Sequence, residues 1–227
     1  MRRPGAPGVV GAALALVASG AFIQLTEAVL AHDVRAFNVA VSRAVHATAN
    51  PVLDQLALVL SEVGGLKGGI VLVAIAVATW MARRQYREAG AFALVAAGAG
   101  VLGFGLKRWF QQPRPDLFEP LVPVAGYGYP SGHAIFSVAL YGYLAVWLAV
   151  SGPRQAGRWV GAAVLAAVPL GVMWSRVYLG AHWLTDVAAG ALVAALWSGL
   201  CLAWRGRWVR PAASPGTPAI PGGGPPP

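Results

Sequence analysis

The chain of 227 residues is 57% hydrophobic and only 11% charged, with a mean hydropathy of +0.62. So little charge cannot cover the surface of a soluble domain of this length, which excludes that class. The net charge of +9 would suggest nucleic-acid binding in a soluble protein, but here the basic residues cluster at the ends of apolar segments and form no basic stripe with interleaved aromatics. We therefore expect the lipid bilayer as the solvent and no nucleic-acid partner.

Six apolar stretches follow one another along the chain and predict an all-α fold, a polytopic bundle of six transmembrane helices. The predicted spans are 9–29, 68–82, 89–106, 133–151, 159–174 and 184–204. Runs of Ala and Gly at 96–100 and 188–191 favour close helix packing in lipid.

The first segment, 1–30, has two possible interpretations. Arg2 and Arg3, an apolar run and the small residues at 18–21 are also typical of a signal peptide. The apolar character continues to Leu30, beyond such a cleavage point. We therefore predict a retained N-terminal transmembrane helix.

Segment 31–65 is predicted to be an extracytoplasmic amphipathic segment lying on the outer leaflet. Apolar residues recur there at helical spacing, at Val34, Phe37, Val41 and Val45. Asn50-Pro51 ends that pattern, and 53–60 could form a second short helix. A packed loop that only covers the bundle is the alternative.

Basic residues in the loops predict the orientation. The side that holds the N-terminus carries ten Lys and Arg residues and the other side seven, three of which belong to the site described below. The ten-residue side is therefore predicted to be cytoplasmic, with both termini inside the cell. The tail, 205–227, is rich in Pro and Gly and is expected to be disordered. The single cysteine, Cys201, has no predicted role.

Once the spans are removed, the unusual polar residues gather in three segments at the outer side. These segments are 107–115 after the third span, 129–133 before the fourth, and 175–186 between the fifth and the sixth. Cations and histidines from three separate segments are thus predicted to meet at one membrane face.

The second segment has the features of a helix start. Ser131 is a good N-cap residue, Gly132 permits close approach to the backbone, and His133 falls in the first turn. Free N–H groups and the helix dipole favour a bound anion at such a position. An ordinary capped helix with an interfacial histidine is the alternative.

His182 and Asp186 are four residues apart and would share one face of a helix. Asp186 could then accept a hydrogen bond from one ring nitrogen of His182 and leave the other nitrogen free as a nucleophile. A structural His–Asp pair is one alternative and a metal site another, although nearby cations argue against a metal.

Lys107, Arg114 and Arg176 are the cations of the predicted site. Arginine's planar fork suits phosphate oxygens, and phosphoryl transfer needs such a positive environment. Salt bridges to carboxylates are the alternative, and the candidates for them are Glu62, Asp116 and Glu119.

These three segments resemble the three motifs of the type-2 phosphatidic acid phosphatase family. Lys107 is followed by six residues and Arg114-Pro115, and the second motif is matched by 130–133. Ser175-Arg176, five residues, His182, three residues and Asp186 match the third. The resemblance covers roughly 53–204, so 66–204 is interpreted as the catalytic helical core.

The resemblance implies a role for each matching residue. His182 would attack phosphorus and form a phosphohistidine, Asp186 would orient it, and His133 would be the general acid. The phosphoryl oxygens would be held by Lys107, Arg114, Ser131, Gly132 and Arg176. No metal and no other cofactor would be needed.

The family acts mostly on lipid phosphates and diphosphates, so the resemblance implies such a substrate. Undecaprenyl diphosphate is the leading candidate, followed by phosphatidate or phosphatidylglycerophosphate. A transporter is the rival from another class, but transport sites usually place ionisable residues at mid-membrane. A non-catalytic lipid-binding relative would normally lack one of the histidines, and the related vanadium haloperoxidases are soluble.

Overall fold

The computed structural model describes residues 6–150 and 155–206, and the regular structure in these ranges is α-helical. Eight helices are found there: α1 (Ala6–Leu30), α2 (Arg35–His46), α3 (Pro51–Gly64), α4 (Leu66–Ala82), α5 (Tyr86–Phe110), α6 (Gly132–Val150), α7 (Ala156–Tyr178) and α8 (Leu184–Gly206). The predicted disorder of the tail from residue 207 onward lies outside the described residues.

Five of these helices are long and apolar enough to cross a membrane, namely α1, α5, α6, α7 and α8. A sixth span results if α3 and α4 are counted together, since they meet at a bend of 51°. The prediction of an all-α, multi-pass membrane bundle is confirmed. The second predicted span corresponds to α4, which has only 17 residues and continues from α3.

Two helices are longer than the sequence suggests, and this relocates two site residues. We predicted that Lys107 follows the third span and that 175–186 joins the fifth span to the sixth. Instead α5 continues to Phe110 and α7 to Tyr178, so Lys107 and Arg176 lie in the last turns of these helices. Cationic side chains can remain in such turns because their long apolar stems reach toward the polar membrane surface.

Small residues permit close packing of α8 against its neighbours. A Cβ atom on Gly98 would lie 2.1 Å from the indole of Trp197, so α5 and α8 can pack only around a glycine here. On the other side of α8, a Cβ on Gly11 of α1 would lie 2.6 Å from the carbonyl oxygen of Gly199. The predicted role of small residues in 96–100 is therefore confirmed.

The first helix is an integral part of the bundle. Besides its contact with α8, its Thr26 hydroxyl lies 2.7 Å from the hydroxyl of buried Tyr129. Burial raises the pKa of Tyr129 to about 12, so its phenol stays protonated and available for this hydrogen bond. These contacts fit the interpretation of the first segment as a retained helix, which stays a prediction.

Segment 31–65 forms the helices α2 and α3, separated at Asn50-Pro51 as predicted. The Asn50 side chain caps α3 by accepting hydrogen bonds from the N–H groups of Val52 and Leu53, both at 3.1 Å. The polar face of α2 packs against the bundle, because Asn38 and Ser42 are buried while Phe37 is 56% exposed. The position of this segment relative to the outer leaflet stays a prediction.

The helix directions bring the site residues together. The alternating spans α5 and α7 end, and α6 and α8 begin, at the same end of the bundle. The three predicted motif segments belong to these four helix ends and to the connections between them. They therefore meet at one end of the molecule.

Candidate active site

Hydrogen bonds between the three motif segments hold the site together. The Ser131 amide donates to the carbonyl oxygen of Asp186 at 2.9 Å, which joins the second motif to the third. Arg114 Nη1 donates to the carbonyl oxygen of Ala181 at 2.8 Å, which joins the first to the third. Lys107 Nζ donates to the carbonyl oxygen of Tyr127 at 2.8 Å, just before the second motif.

The predicted contact between His182 and Asp186 is present, but the reasoning from a shared helix face was wrong. His182 precedes α8, which starts at Leu184, and only Asp186 lies within the helix. The chain turns so that His182 Nδ1 lies 3.3 Å from Asp186 Oδ2. The same oxygen accepts a hydrogen bond from the Trp183 amide at 3.0 Å, which fixes the carboxylate at the start of α8.

This geometry determines which ring nitrogen of His182 can react. Asp186 is an acceptor when ionised, so Nδ1 carries the hydrogen that faces it. The other nitrogen, Nε2, then has its lone pair available and lies 3.3 Å from Arg114 Nη1, which can donate to it. The nitrogen that a nucleophilic role requires therefore faces a cationic donor.

The His182 ring is almost completely enclosed, with 2% of its surface exposed. Burial lowers the pKa of His182 well below its usual range, and the charges of Lys107, Arg114 and Arg176 lower it further. The ring is therefore neutral at neutral pH, as a nucleophilic imidazole must be.

Arg114 is bound to the loop between α5 and α6. Its Nε donates to the carbonyl oxygen of Gly126 at 3.1 Å and its Nη2 to that of Ala125 at 2.9 Å. Together with the contacts to Ala181 and His182, these bonds use most of its five donors. Burial lowers the pKa of Arg114 and the charge of Asp186 opposes this shift. To bind a phosphoryl oxygen, Arg114 would exchange one of these partners for it.

Two other predicted phosphate ligands have buried polar atoms without hydrogen-bond partners in the described part of the chain. The first is the hydroxyl oxygen of Ser131, a residue that is completely buried. The second is Nε of Arg176, a residue with 4% of its surface exposed. Ser131 precedes α6 as predicted, yet its hydroxyl does not cap the helix. Since unpaired buried donors are costly, both atoms are suited to an anionic ligand.

Salt bridges do not account for the cations. Within residues 6–150 and 155–206, no salt bridge joins Lys107, Arg114 or Arg176 to any of the carboxylates considered above. The three cations are therefore not paired directly with these carboxylates, which favours an anion as the ligand.

His133 lies in the first turn of α6, as predicted, and faces the corner between α3 and α4. A Cβ atom on Gly65 would lie 3.3 Å from His133 Nε2. His133 also interacts electrostatically with His182 and with the three cations of the site. All eight predicted residues thus belong to one cluster, and the roles assigned to them stay predictions.

Three residues of the site were missed by the sequence analysis. Ser61 of α3 accepts a hydrogen bond from Arg176 Nη1. Asn38 of α2 donates to the Thr185 hydroxyl at 2.8 Å and accepts from the Thr185 amide at 3.3 Å, next to Asp186. These contacts join positions more than 100 residues apart, and no local pattern in the sequence indicates them.

No group of three or more His, Cys, Asp or Glu side chains suited to a metal ion occurs among the described residues. The donors that do converge are cationic or hydroxylic, which suits an anion better than a cation. Independence from metals stays a prediction.

A groove of about 240 Å³ opens beside the site between the α3–α4 corner, α5 and α6. Lys107, Gly132 and His133 line one part of it. The remaining lining is apolar or glycine, formed by Gly64, Gly65, Leu66, Gly100, Gly103, Phe104 and Phe136. The cationic site is therefore continuous with an apolar surface.

Comparisons with known proteins agree with this arrangement. A sequence model of the PAP2 superfamily matches residues 88–210. Phosphatidylglycerophosphatase B of Bacillus subtilis (strain 168) is 29% identical over 172 residues, which are 74% of this chain and 83% of that protein.

Two crystal structures have a similar fold. One is a transmembrane PAP2-type phosphatidylglycerolphosphate phosphatase from Bacillus subtilis, with a TM-score of 0.72 and 25% identity over 86% of this chain and 94% of that one. The other is LpxE of Aquifex aeolicus, with a TM-score of 0.59 and 20% identity over 76% of this chain and 96% of that one. At this identity the second structure supports the fold alone.

Proposed function

Because the chain belongs to the PAP2 superfamily of membrane phosphatases, we propose that it removes a phosphate from a lipid phosphate or isoprenoid diphosphate through a phosphohistidine intermediate. One observation carries this proposal. The neutral ring of His182 turns Nε2 toward Arg114 and lies among three cations, none of which forms a salt bridge in the described part of the chain; Ser131 and Arg176 of the same site each have a buried donor without a partner there.

In the first step, Nε2 of His182 attacks phosphorus and the bond between phosphorus and the lipid oxygen breaks. Arg114 Nη1 transfers its hydrogen bond from Nε2 to a phosphoryl oxygen, which frees the lone pair. Asp186 stabilises the positive charge that develops on the ring through Nδ1–H. Lys107, Arg176, Ser131 and the backbone at Gly132 bind the remaining phosphoryl oxygens.

His133 donates the proton that the leaving lipid oxygen requires. His133 lies in the first turn of α6, in the same cluster as the three cations that would hold the phosphoryl group. In its imidazolium form it is the group that can pass a proton to the leaving oxygen. In the second step, His133 accepts a proton from water, the water oxygen attacks phosphorus, the phosphorus–Nε2 bond breaks, and phosphate is released.

The groove between α5 and α6 supports an amphiphilic substrate. Lys107 lies in the last turn of α5, and Gly103 and Gly100 line the groove one and two turns further from that end. A phosphate bound at Lys107 would therefore have its apolar chain directed along α5 into the bilayer. A soluble phosphate ester would have no use for this surface.

The relatives favour one substrate among those considered. The names of the Bacillus subtilis protein and of the first crystal structure both specify phosphatidylglycerophosphate as what those proteins act on. We therefore place phosphatidylglycerophosphate first for this chain and keep undecaprenyl diphosphate and phosphatidate as the other candidates.

We also propose that the site faces the outside of the cell. The basic loop with Arg83, Arg84 and Arg87 lies at the opposite end of the bundle from the site. Since basic loops remain in the cytoplasm, this supports the proposal that both termini lie inside and His182 outside.

The experiment is a phosphate-release assay on protein purified in detergent, with phosphatidylglycerophosphate, undecaprenyl diphosphate and phosphatidate as substrates. Activity should persist in excess EDTA because no step requires a metal. His182→Ala should lower kcat by about three orders of magnitude or more, since it removes the nucleophile.

Ser42→Ala is the control, since this buried serine of α2 has no hydrogen-bond partner among the described residues. It should leave kcat unchanged. Full activity of His182→Ala on every substrate would contradict the mechanism, and loss of activity in EDTA would restore the metal alternative.

A further inference from the structure

Helix α3 reaches the active site although it lies outside the three motifs. It ends at Gly64, where a Cβ atom would lie 2.3 Å from Cγ1 of Val172 in α7. Only a glycine permits this approach, so the end of α3 is held against α7 one turn before Arg176. Ser61, 5% exposed, lies in this last turn of α3.

Two nitrogen atoms of the Arg176 guanidinium, Nη1 and Nε, have different surroundings. Its Nη1 donates to the hydroxyl oxygen of Ser61, across 115 positions of the sequence. Its Nε has no hydrogen-bond partner among the described residues and is buried. Because the guanidinium is planar and rigid, fixing Nη1 also fixes the direction in which Nε points.

The charge around Arg176 shows why a neutral partner is useful here. Glu62, the residue after Ser61, interacts with Arg176 electrostatically but forms no salt bridge with it in the described ranges. A carboxylate bound directly to the guanidinium would neutralise it and compete with a phosphate. A serine hydroxyl orients the guanidinium and leaves its full charge for the substrate.

We propose that Ser61 is a positioning residue for the phosphatase reaction, holding Nη1 of Arg176 so that Nε binds a phosphoryl oxygen. This inference rests on the proposed function. It makes the last turn of α3 a part of the active site.

The test compares variants of the full-length protein in detergent. Ser61→Ala should lower kcat/KM and raise the inhibition constant of orthovanadate, a phosphate mimic, each by about 10-fold or more, because a hydrogen bond to a charged group is lost. Ser42→Ala is the matched control, because Ser42 is also 5% exposed but its hydroxyl is unpartnered in the described part of the chain. Its two constants should stay within about twofold of those of the unsubstituted protein.

A second pair of variants separates positioning from packing. Threonine and valine have the same shape, but only threonine keeps a hydroxyl. Ser61→Thr should therefore retain tight orthovanadate inhibition and Ser61→Val should lose it, even if both lower the thermal stability. Equal inhibition constants for the two variants would overturn the proposal.

A double-mutant cycle tests whether Ser61 acts through Arg176. The readout is the rise in the thermal unfolding midpoint that orthovanadate causes, which needs no turnover. In the Arg176→Ala protein, adding Ser61→Ala should not reduce this rise any further. If the two substitutions each reduce the rise and their effects add in the double variant, the proposal is contradicted. If the unsubstituted protein releases no phosphate from any lipid, the proposed function fails instead, and the cycle on orthovanadate binding still decides the role of Ser61.

Discussion

The proposed chemistry depends on burial of one imidazole and on the two residues placed at its nitrogen atoms. His182 is buried, Asp186 holds its Nδ1, and Arg114 lies against its Nε2. Each contact has a distinct consequence: neutrality, the choice of tautomer, and a donor that a phosphoryl oxygen can take over. A histidine at the surface would lack this combination of properties.

The first prediction at this scale concerns protonation. Because burial and three cations lower the pKa of His182, its ring should stay neutral as the pH falls from 8 to 5.5. An unperturbed histidine would take up a proton near pH 6.5 over the same range. Nitrogen chemical shifts of isotope-labelled histidine, with His182→Gln used to assign the signal, measure this directly.

The lowered pKa of His182 also makes the stability of the fold depend on pH. Below about pH 6.5 the unfolded chain binds a proton at this residue and the folded protein does not, so acid favours unfolding through His182. Lys107→Met removes one of the cations and should move the titration of His182 toward its usual range. A His182 signal that already titrates near pH 6.5 in the unsubstituted protein would contradict the burial and charge described here.

At the residue scale, the motif residues could be identified from the sequence, but the residues that hydrogen-bond to them could not. Lys107, His133 and His182 stand out because charged and imidazole side chains are rare in an apolar chain. Ser61 and Asn38 do not stand out, because a single serine or asparagine in a helix has many ordinary explanations. Their importance comes from contacts across the bundle, which spacing along the chain cannot reveal.

At the scale of helices, the ends matter more than the apolar centres. Hydropathy located every spanning helix but placed the ends of α5 and α7 too early. The reason is that an apolar stretch is interrupted at its first polar or charged residues, whereas the helix continues beyond them. Lys107 and Arg176 lie within the helices as a result. Helical geometry therefore fixes their direction toward the site, which a flexible loop would not do.

The groove beside α5 gives a prediction about substrate length. Gly100 lies seven residues before Lys107, or about 10 Å along the helix. A Cβ there would meet only the ring of Phe136 at 3.5 Å, so Gly100→Leu should fold and fill the distal groove. It should lower kcat/KM for a long-chain lipid phosphate by about 10-fold or more but not for a dihexanoyl analogue.

Gly105→Leu on the same helix is the matched control. A Cβ at Gly105 has no neighbour within 4 Å and the residue does not line the groove, so both substrates should be hydrolysed as before. If Gly100→Leu affects short and long substrates equally, the chain does not lie in this groove.

At the scale of the whole molecule, the alternation of spans accounts for the convergence. Each crossing reverses the direction of the chain, so α5, α6, α7 and α8 bring two C-terminal and two N-terminal ends to one side. The order of the motifs along the chain predicts this convergence without a structure. The inclusion of α1, through Thr26 and Tyr129, could not be predicted, because nothing in an apolar N-terminal helix indicates its neighbour.

The central claim is an outward-facing phosphatase site, and sealed membrane vesicles of known orientation test it most directly. Water-soluble dihexanoyl phosphatidate is added outside, and phosphate release is measured with the unsubstituted protein and with His182→Ala. We expect release by right-side-out vesicles without detergent, no release by inside-out vesicles until they are permeabilised, and none with His182→Ala. Release by intact inside-out vesicles alone, or equal release with His182→Ala, would contradict the account.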